Sequence, residues 1–595
     1  MQAAASGIDP EQVIVLETVG SIEDFQNVVR RVPGMEWLGD FDTEIASPDP
    51  GFLADGSTEA SLSGRLFVVV GTRGAYAELL RLWRAWVKSP NEKLRRNFGP
   101  LAEVFKHLQD VREWSAFDRV QSTGVVAYWE HGLGSNATTI RFEAELWCRV
   151  DPAARHSAYQ RLQTLVSAVG GQCITQAVVP EIDYHGVLLE LPATEVKRAV
   201  EALKANSAIE ILRLTDVKYF APMANISHDS AAVGADFALP AKPLPQGSPI
   251  AALFDGLPLG NHSALDGRLH IDDPDGFSSG YQPSERRHGT AMASLIAHGE
   301  LDSGEPALRS PIYVRPVMRP GNPDLNGLRW ETLPPDELPV DLIHRAVRRA
   351  LEGNADQSAE APTVKVINLS LGDSAQPFDR ILSAWARLLD WLAWRHQVLF
   401  VVSAGNHLND LVLPAPPNSV QGMSDEDLRA HTLRAIVHQR ATRRLLAPAE
   451  SVNALTVGAL HTQDGVVGPT GLLVDLLRGA ALPSPVSTVC GGFRRSIKPE
   501  ILAPGGRRHY SPRVQSAGAT STEFELSKAV AQPGQQVASP GGSAVPPSFA
   551  VRTGGTSNAA AMSGNSTSQL SSRFRRMVNP SVQTSALNAP RRGSR

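Results

Sequence analysis

Cysteine is nearly missing from this chain: Cys148, Cys173 and Cys490 are its only three among 595 residues. An odd trio of thiols cannot staple a fold of this size, and no CxxC or Cys/His spacing suits zinc. Buried or free thiols in a reducing, cytoplasmic compartment are therefore expected. Long apolar runs are absent too. No stretch reaches the roughly 18 uninterrupted apolar residues of a membrane span, and "MQAAASGIDPEQ" at the N-terminus has neither a basic nor an apolar leader region. Net charge is small: 57 Lys+Arg against 61 Asp+Glu leave −4. That balance argues against nucleic acid as the main partner. What is present, 42% hydrophobic and 20% charged residues, suits a soluble globular protein of about two to four domains.

Residues 1–90 read as an α+β module. "QVIVLETV", "MEWLGDFDTEIA" and "GRLFVVVGT" look like strands, "SIEDFQNVVRRV" like a helix capped by Ser21, and "AYAELLRLWRAWV" like a second helix. Residues 91–138 read as a charged connector. Residues 139–221 give the order β-α-β-β-α-β, the split βαβ of ferredoxin-like domains. Residues 222–248 are rich in turn formers and read as a linker.

From residue 249 the pattern changes. "PIAALFD", "PIYVRPVM", "VKVINLSLG", "VLFVVSAGN" and "ALTVGAL" are short, almost continuous apolar runs, and "RILSAWARLLDWLAWRHQ" between two of them is an amphipathic helix. Strands buried on both sides and joined by such crossovers make an α/β domain: a three-layer parallel sheet with helices on both faces, here over 249–562. Sites in these sheets lie at the carboxyl ends of the strands, which draws attention to Asp255, Ser370 and Asn406.

Those positions combine with two others. His288 stands where a helix of small residues begins, and Ser557 follows two glycines at the start of an alanine run. A serine hydroxyl is a weak nucleophile that needs a neutral imidazole, and the imidazole needs a buried carboxylate to fix its tautomer and stabilise its cation. The developing oxyanion needs donors already in place. The Asn406 amide and a backbone N–H at a helix N-terminus would provide them.

"HGTAMASLIA", "INLSLG", "SAGN", "SVNALTVGA", "IKPEILAPGG" and "GGTSNAAA", in that order, resemble the segments of the subtilisin-like serine peptidases, the subtilases. The chain order Asp, His, Ser is also theirs. The resemblance implies a serine endopeptidase acting on protein or peptide substrates, with catalytic Asp255, His288 and Ser557 and oxyanion-binding Asn406. It implies that Ser370, Leu371 and Gly372 pair with substrate backbone, and that Ser403, Ala404 and Gly405 line the pocket for the residue before the scissile bond. No metal or cofactor is implied; the acidic "IDDPDGFSSGYQ" fails the EF-hand template. Family propeptides share the β-α-β-β-α-β build, so the ferredoxin-like modules are propeptide-like and offer a surface for a regulatory protein partner.

The resemblance weakens after Ser557. Apolar periodicity is lost after Met562, Gly564 and Asn565 are poor helix formers, and no acidic residue follows Glu525. Residues 563–595 read as a disordered basic tail, as if the natural C-terminus had been truncated or shifted in frame. The alternative function is then a catalytically impaired, subtilase-like binding module that has lost the helix behind its serine. An esterase or transpeptidase with the same acyl chemistry is a third reading.

Overall fold

The computed structural model describes residues 12–19, 29, 31–46, 61–89, 99–135, 137–224, 234–324, 327–353, 357–420, 422–462, 473–516, 518–527 and 533–577. The chain forms two units, Met1–Met223 and Ala224–Arg595.

The first unit holds two four-stranded antiparallel sheets. One has the order β2-β3-β1-β4, with β1 at Gln12–Val19, β2 at Met35–Ala46, β3 at Ser61–Gly71 and β4 at Leu108–Glu113. Helix α1 (Arg73–Lys88) is capped by Thr72 and sets Ala75 and Leu82 against Leu16, Phe67 and Val69. The helix expected from Ser21 lies largely outside the described residues. The second sheet comprises β5 (Thr139–Trp147), β6 (Gln172–Val179), β7 (Tyr184–Pro192) and β8 (Val217–Pro222), ordered β6-β7-β5-β8.

Three helices serve that second sheet: α2 (Val125–Gly134), α3 (Pro152–Ala168) and α4 (Ala193–Lys204). The segment read as a connector is thus partly structural. β4 pairs with β1, and α2 buries Trp129 edge-on against Phe142, with ring centroids 5.1 Å apart. Its charge density hid this, because only scattered positions such as Val125 and Trp129 face inward.

In the second unit, β9 (Gly234–Asp236), within the stretch read as a linker, pairs with Phe549–Val551. The central sheet begins with β10 (Ala251–Asp255), β11 (Leu269–Ile271) and β12 (Ile312–Pro316). A hairpin of β13 (Arg319–Pro323) and β14 (Arg329–Thr332) interrupts it before β15 (Val366–Leu369). After β16 (Asp373–Pro377) come β17 (Leu399–Ser403), β18 (Leu446–Ala447), β19 (Leu455–Leu460) and β20 (Ile501–Pro504). Seven strands form one parallel sheet in the order β11-β12-β10-β15-β17-β19-β20. Its interior strands are buried on both faces, which explains apolar runs without alternation. The order reverses at β10, between β12 and β15, and the crevice beyond the carboxyl ends opens there.

Helices α5 (Arg287–His298), α6 (Pro339–Leu351) and α7 (Ala384–His396, capped by Ser383) pack on this sheet, together with the last helix, α8 (Thr556–Met577). The length of α8 corrects the expectation of a disordered tail from residue 563. The interface is built from small and polar residues rather than an apolar stripe. Ala559 and Ala560 pack on Val401 and Val457, while Asn565 and Ser568 are also buried. The Asn565 amide donates to the Ile296 carbonyl at 2.7 Å, and Gln569 donates to Asn565 Oδ1 at 2.8 Å. Tertiary packing of this kind overrides helix propensities worth at most about 1 kcal/mol per residue. Residues 578–595 of the expected tail lie outside the described residues.

The three cysteines are free, partly buried thiols. Two carboxylates of the acidic 271–282 stretch are engaged by cations, Asp272 by Arg349 at 2.8 Å and Asp275 by Arg315 and Arg345, while Asp273 accepts the Phe277 and Ser278 N–H groups. Among the described residues no helix is long and apolar enough to cross a membrane.

Candidate active site

β10 carries the chain into the middle of the sheet and ends on a carboxylate, so Asp255 is completely buried. Its Oδ1 accepts the Gly256 N–H at 2.7 Å and faces His288 Nδ1 at 2.6 Å. A carboxylate at Nδ1 makes the proton-bearing nitrogen the one facing Asp255 and leaves Nε2 as the basic one.

His288 is the second residue of α5, a helix without a side-chain N-cap. Glu331, projected inward from β14, does the work of a cap: its Oε2 accepts the His288 N–H at 2.5 Å, and its Oε1 accepts the Tyr281 hydroxyl at 3.2 Å. Two backbones and the Glu331 carboxylate meet here so closely that two glycines are required. A Cβ on Gly256 would lie 1.8 Å from Glu331 Oε1, and one on Gly289 would lie 2.2 Å from the Gly256 carbonyl oxygen. The threonine of the His-Gly-Thr run has a role as well, since Thr290 Oγ1 accepts the Leu259 N–H at 2.8 Å.

Ser557 is the second residue of α8, in the first turn, whose N–H groups have no partner within the helix. Its hydroxyl donates to the Ser370 carbonyl at 3.0 Å. Asn406 Oδ1 accepts from the Thr556 N–H at 2.8 Å and its hydroxyl at 3.0 Å, which fixes the amide and leaves Nδ2 as the donor directed elsewhere. His288, Ser557, Asn406 and Glu331 line one cavity of about 300 Å³.

The other expected positions are close by. Ser370, Leu371 and Gly372 follow the carboxyl end of β15, and Ser403, Ala404 and Gly405 close β17. The Gly405 N–H is donated to Thr556 Oγ1 at 3.3 Å. Glu331 is the residue that sequence reasoning missed. It arrives on an inserted hairpin, and nothing in "LRWETLPPDELP" distinguishes it from a surface glutamate.

Electrostatics couple the two carboxylates to the imidazole. Burial disfavours the His288 cation, but the charge and hydrogen bond of Asp255, with the charge of Glu331, outweigh it and hold the pKa above the ordinary histidine value. Glu331 is pushed up to about 7, first by burial and then by the nearby Asp255 charge. The site therefore holds an oriented imidazole against a buried carboxylate, with a helix-N-terminal hydroxyl and a fixed amide donor in the same cavity. That set of groups can make and stabilise an acylated oxygen.

The model of the Subtilase family of peptidases matches residues 259–592, more than half of the chain. The chain belongs to the subtilases. Its seven-stranded parallel sheet is the α/β fold of that family, and a subtilase is in general a serine peptidase. The match begins just after Asp255, so that residue is placed by geometry alone. A curated relative, the uncharacterized protein y4bN of Sinorhizobium fredii (strain NBRC 101917 / NGR234), is 32% identical over 154 residues, 25% of this subtilase. The matched stretch spans about a third (33%) of that relative's length. Among solved structures, a mutant of the protease domain of PatA is 18% identical, with 56% of this chain and 82% of that one covered, at a TM-score of 0.30. The patellamide maturation protease PatG is 14% identical, with 56% and 78% covered, at a TM-score of 0.29.

Proposed function

We propose that this subtilase is a serine endopeptidase that hydrolyses peptide bonds through an acyl-enzyme on Ser557. The observation that carries the reading is the 2.6 Å contact between His288 and Asp255, opening on the cavity that Ser557 and Asn406 share. His288 Nε2 takes the hydroxyl proton as Ser557 Oγ attacks the carbonyl carbon, and Asp255 faces the imidazolium that forms. Asn406 Nδ2 and the Ser557 N–H donate to the oxyanion. His288 then returns the proton to the leaving amine, and water repeats the sequence to release the acid. A fluorophosphonate is expected to label the folded protein once, on the peptide containing Ser557. Folded protein that stays unlabelled, or is labelled elsewhere, would sink the proposal.

The rival binding-module reading rested on loss of the helix behind the serine, and α8 spans Thr556–Met577. Residues 139–221, whose β-α-β-β-α-β build resembles that of family propeptides, are proposed as a regulatory module for a protein partner.

Asn406→Ala is expected to lower kcat by about 10²–10³-fold with little change in KM, a magnitude taken from subtilisin itself. A higher KM at unchanged kcat would place Asn406 in ground-state binding instead.

Glu331 acts through His288 as a positioning residue. Activity needs neutral imidazole, and an ionised Glu331 favours imidazolium, so it raises the pH at which activity falls. Glu331→Gln removes that charge while keeping an acceptor for the His288 N–H. The acid limb of kcat/KM should move to lower pH and steepen toward a single titration, because the coupled pair is gone. Tyr281, Asp255 and His288 are the titrating groups around this carboxyl. An acid limb that stays in place with uniformly reduced kcat would mean that Glu331 serves the fold alone.

A further inference from the structure

The proposed chemistry fixes which half of a substrate lies where. The imidazole hands its proton to the leaving amine, so the leaving half must lie on the His288 side of Ser557, in the roughly 300 Å³ cavity. The acyl half then runs on the opposite side, past the Ser370 carbonyl that Ser557 touches and past Gly405, which Thr556 holds.

Two chain segments wall that side: Ser370–Gly372 after β15 and Ser403–Gly405 at the end of β17. They come close together, since a Cβ on Gly372 would lie 3.7 Å from Gly405 Cα. The gap left between them is filled by one side chain, Leu446. A Cβ on Gly405 would lie 2.5 Å from Leu446 Cγ, and one on Gly372 would lie 3.3 Å from Leu446 Cβ. Leu446 is only 5% exposed, and Ser403 and Ala404 are 2% and 0% exposed, so no void of side-chain size separates them. Leu446 is also held at its backbone. Its N–H donates to the Ala404 carbonyl at 3.3 Å, and β18 pairs with β16, Leu446 opposite Pro377.

We infer that Leu446 closes the acyl-side pocket, so that this subtilase takes a glycine, alanine or serine immediately before the scissile bond. The inference rests on the acyl-enzyme reading above and narrows its substrates to one class. Leu446 is the specificity-determining residue, and an aromatic or long aliphatic side chain at that position meets occupied space. Exclusion by a filled pocket can be large, because an extra methylene in a tight pocket alone brings about 10–200-fold discrimination.

Peptidyl diphenyl phosphonates test this without requiring turnover. Ser557 Oγ attacks phosphorus, its proton passes to His288, and the phosphorus–phenoxide bond breaks with phenoxide leaving. Two probes with one peptide sequence, ending in the alanine or the phenylalanine analogue, are compared by the rate at which they label Ser557. In the full-length protein the alanine probe should react at least about 100-fold faster. Leu446→Ala should raise the phenylalanine rate about tenfold or more and shrink the alanine-to-phenylalanine ratio by at least as much. Should Leu446→Ala fail to fold, Leu446→Val supplies the same readout in smaller measure, and the wild-type ratio decides alone. Equal rates in the wild type, a faster phenylalanine probe, or labelling by a small fluorophosphonate but by neither peptide would each overturn the inference. Failure of the small fluorophosphonate as well would instead overturn the acyl-enzyme reading.

Discussion

Ser557→Ala is expected to lower peptide hydrolysis by about 10⁶-fold and to abolish fluorophosphonate labelling, while the protein stays folded. The magnitude is that for removing the nucleophile of subtilisin, a relative with the same chain order of catalytic groups. The fold should tolerate the change well. Ser557 is 8% exposed, and the substitution deletes one oxygen whose bond goes to the Ser370 carbonyl. A hydrogen bond of that kind contributes about 1 kcal/mol. The variant should therefore melt within a few degrees of wild type and still bind substrate peptides. Residual turnover above the uncatalysed rate is expected, because oxyanion donors and substrate binding persist. Hydrolysis within tenfold of wild type in a purified variant would remove Ser557 from the chemistry.

Asp255→Asn comes next in size, with kcat at neutral pH falling by about 10³–10⁴-fold. The local bonding says which property is lost. Gly256 N–H and His288 Nδ1 converge on the same oxygen of Asp255. An asparagine that keeps its oxygen there preserves the imidazole tautomer and removes only the negative charge facing the imidazolium. The loss should therefore lie toward the lower end of the range. The His288 pKa should fall, since Asp255 supplies the largest influences that raise it. Glu331 should ionise more readily, because the Asp255 charge is one of the two causes that push its carboxyl up. Nuclear magnetic resonance of the His288 ring across pH 5–9 reads both shifts. A variant retaining more than a tenth of wild-type kcat, with an unmoved histidine titration, would contradict the assigned role of Asp255.

Asp255, His288, Asn406 and Ser557 drew attention in the sequence because Asp255 ends a strand, Asn406 follows one, His288 and Ser557 open helices, and each has glycine or small residues beside it. Those neighbours have a physical cause. Gly256 and Gly289 permit backbones to touch, and Thr290 ties the helix to the loop beyond Asp255. The C-terminal helix was illegible for the opposite reason: where Ala559, Ala560 and Asn565 fit against neighbouring backbone, no apolar period is needed. Glu331 and Leu446 were hidden because their meaning lies wholly in what they approach. One is a glutamate on an inserted hairpin, the other a leucine between two glycines distant in sequence. The β4 strand was masked by its charge and exposure, since four of its six residues are exposed to solvent.

On the proposed mechanism, the bond from Ser557 to the Ser370 carbonyl acts as a latch. Carboxylate and imidazole already touch, whereas the Ser557 oxygen is turned toward the neighbouring main chain and, on that mechanism, would have to swing free before attacking. Releasing it costs about 1 kcal/mol, which an incoming peptide can offset by donating its own amide to that carbonyl. The bait thus springs the trap: the hydroxyl is armed when an extended main chain lies beside it, and stays sheathed when only water does.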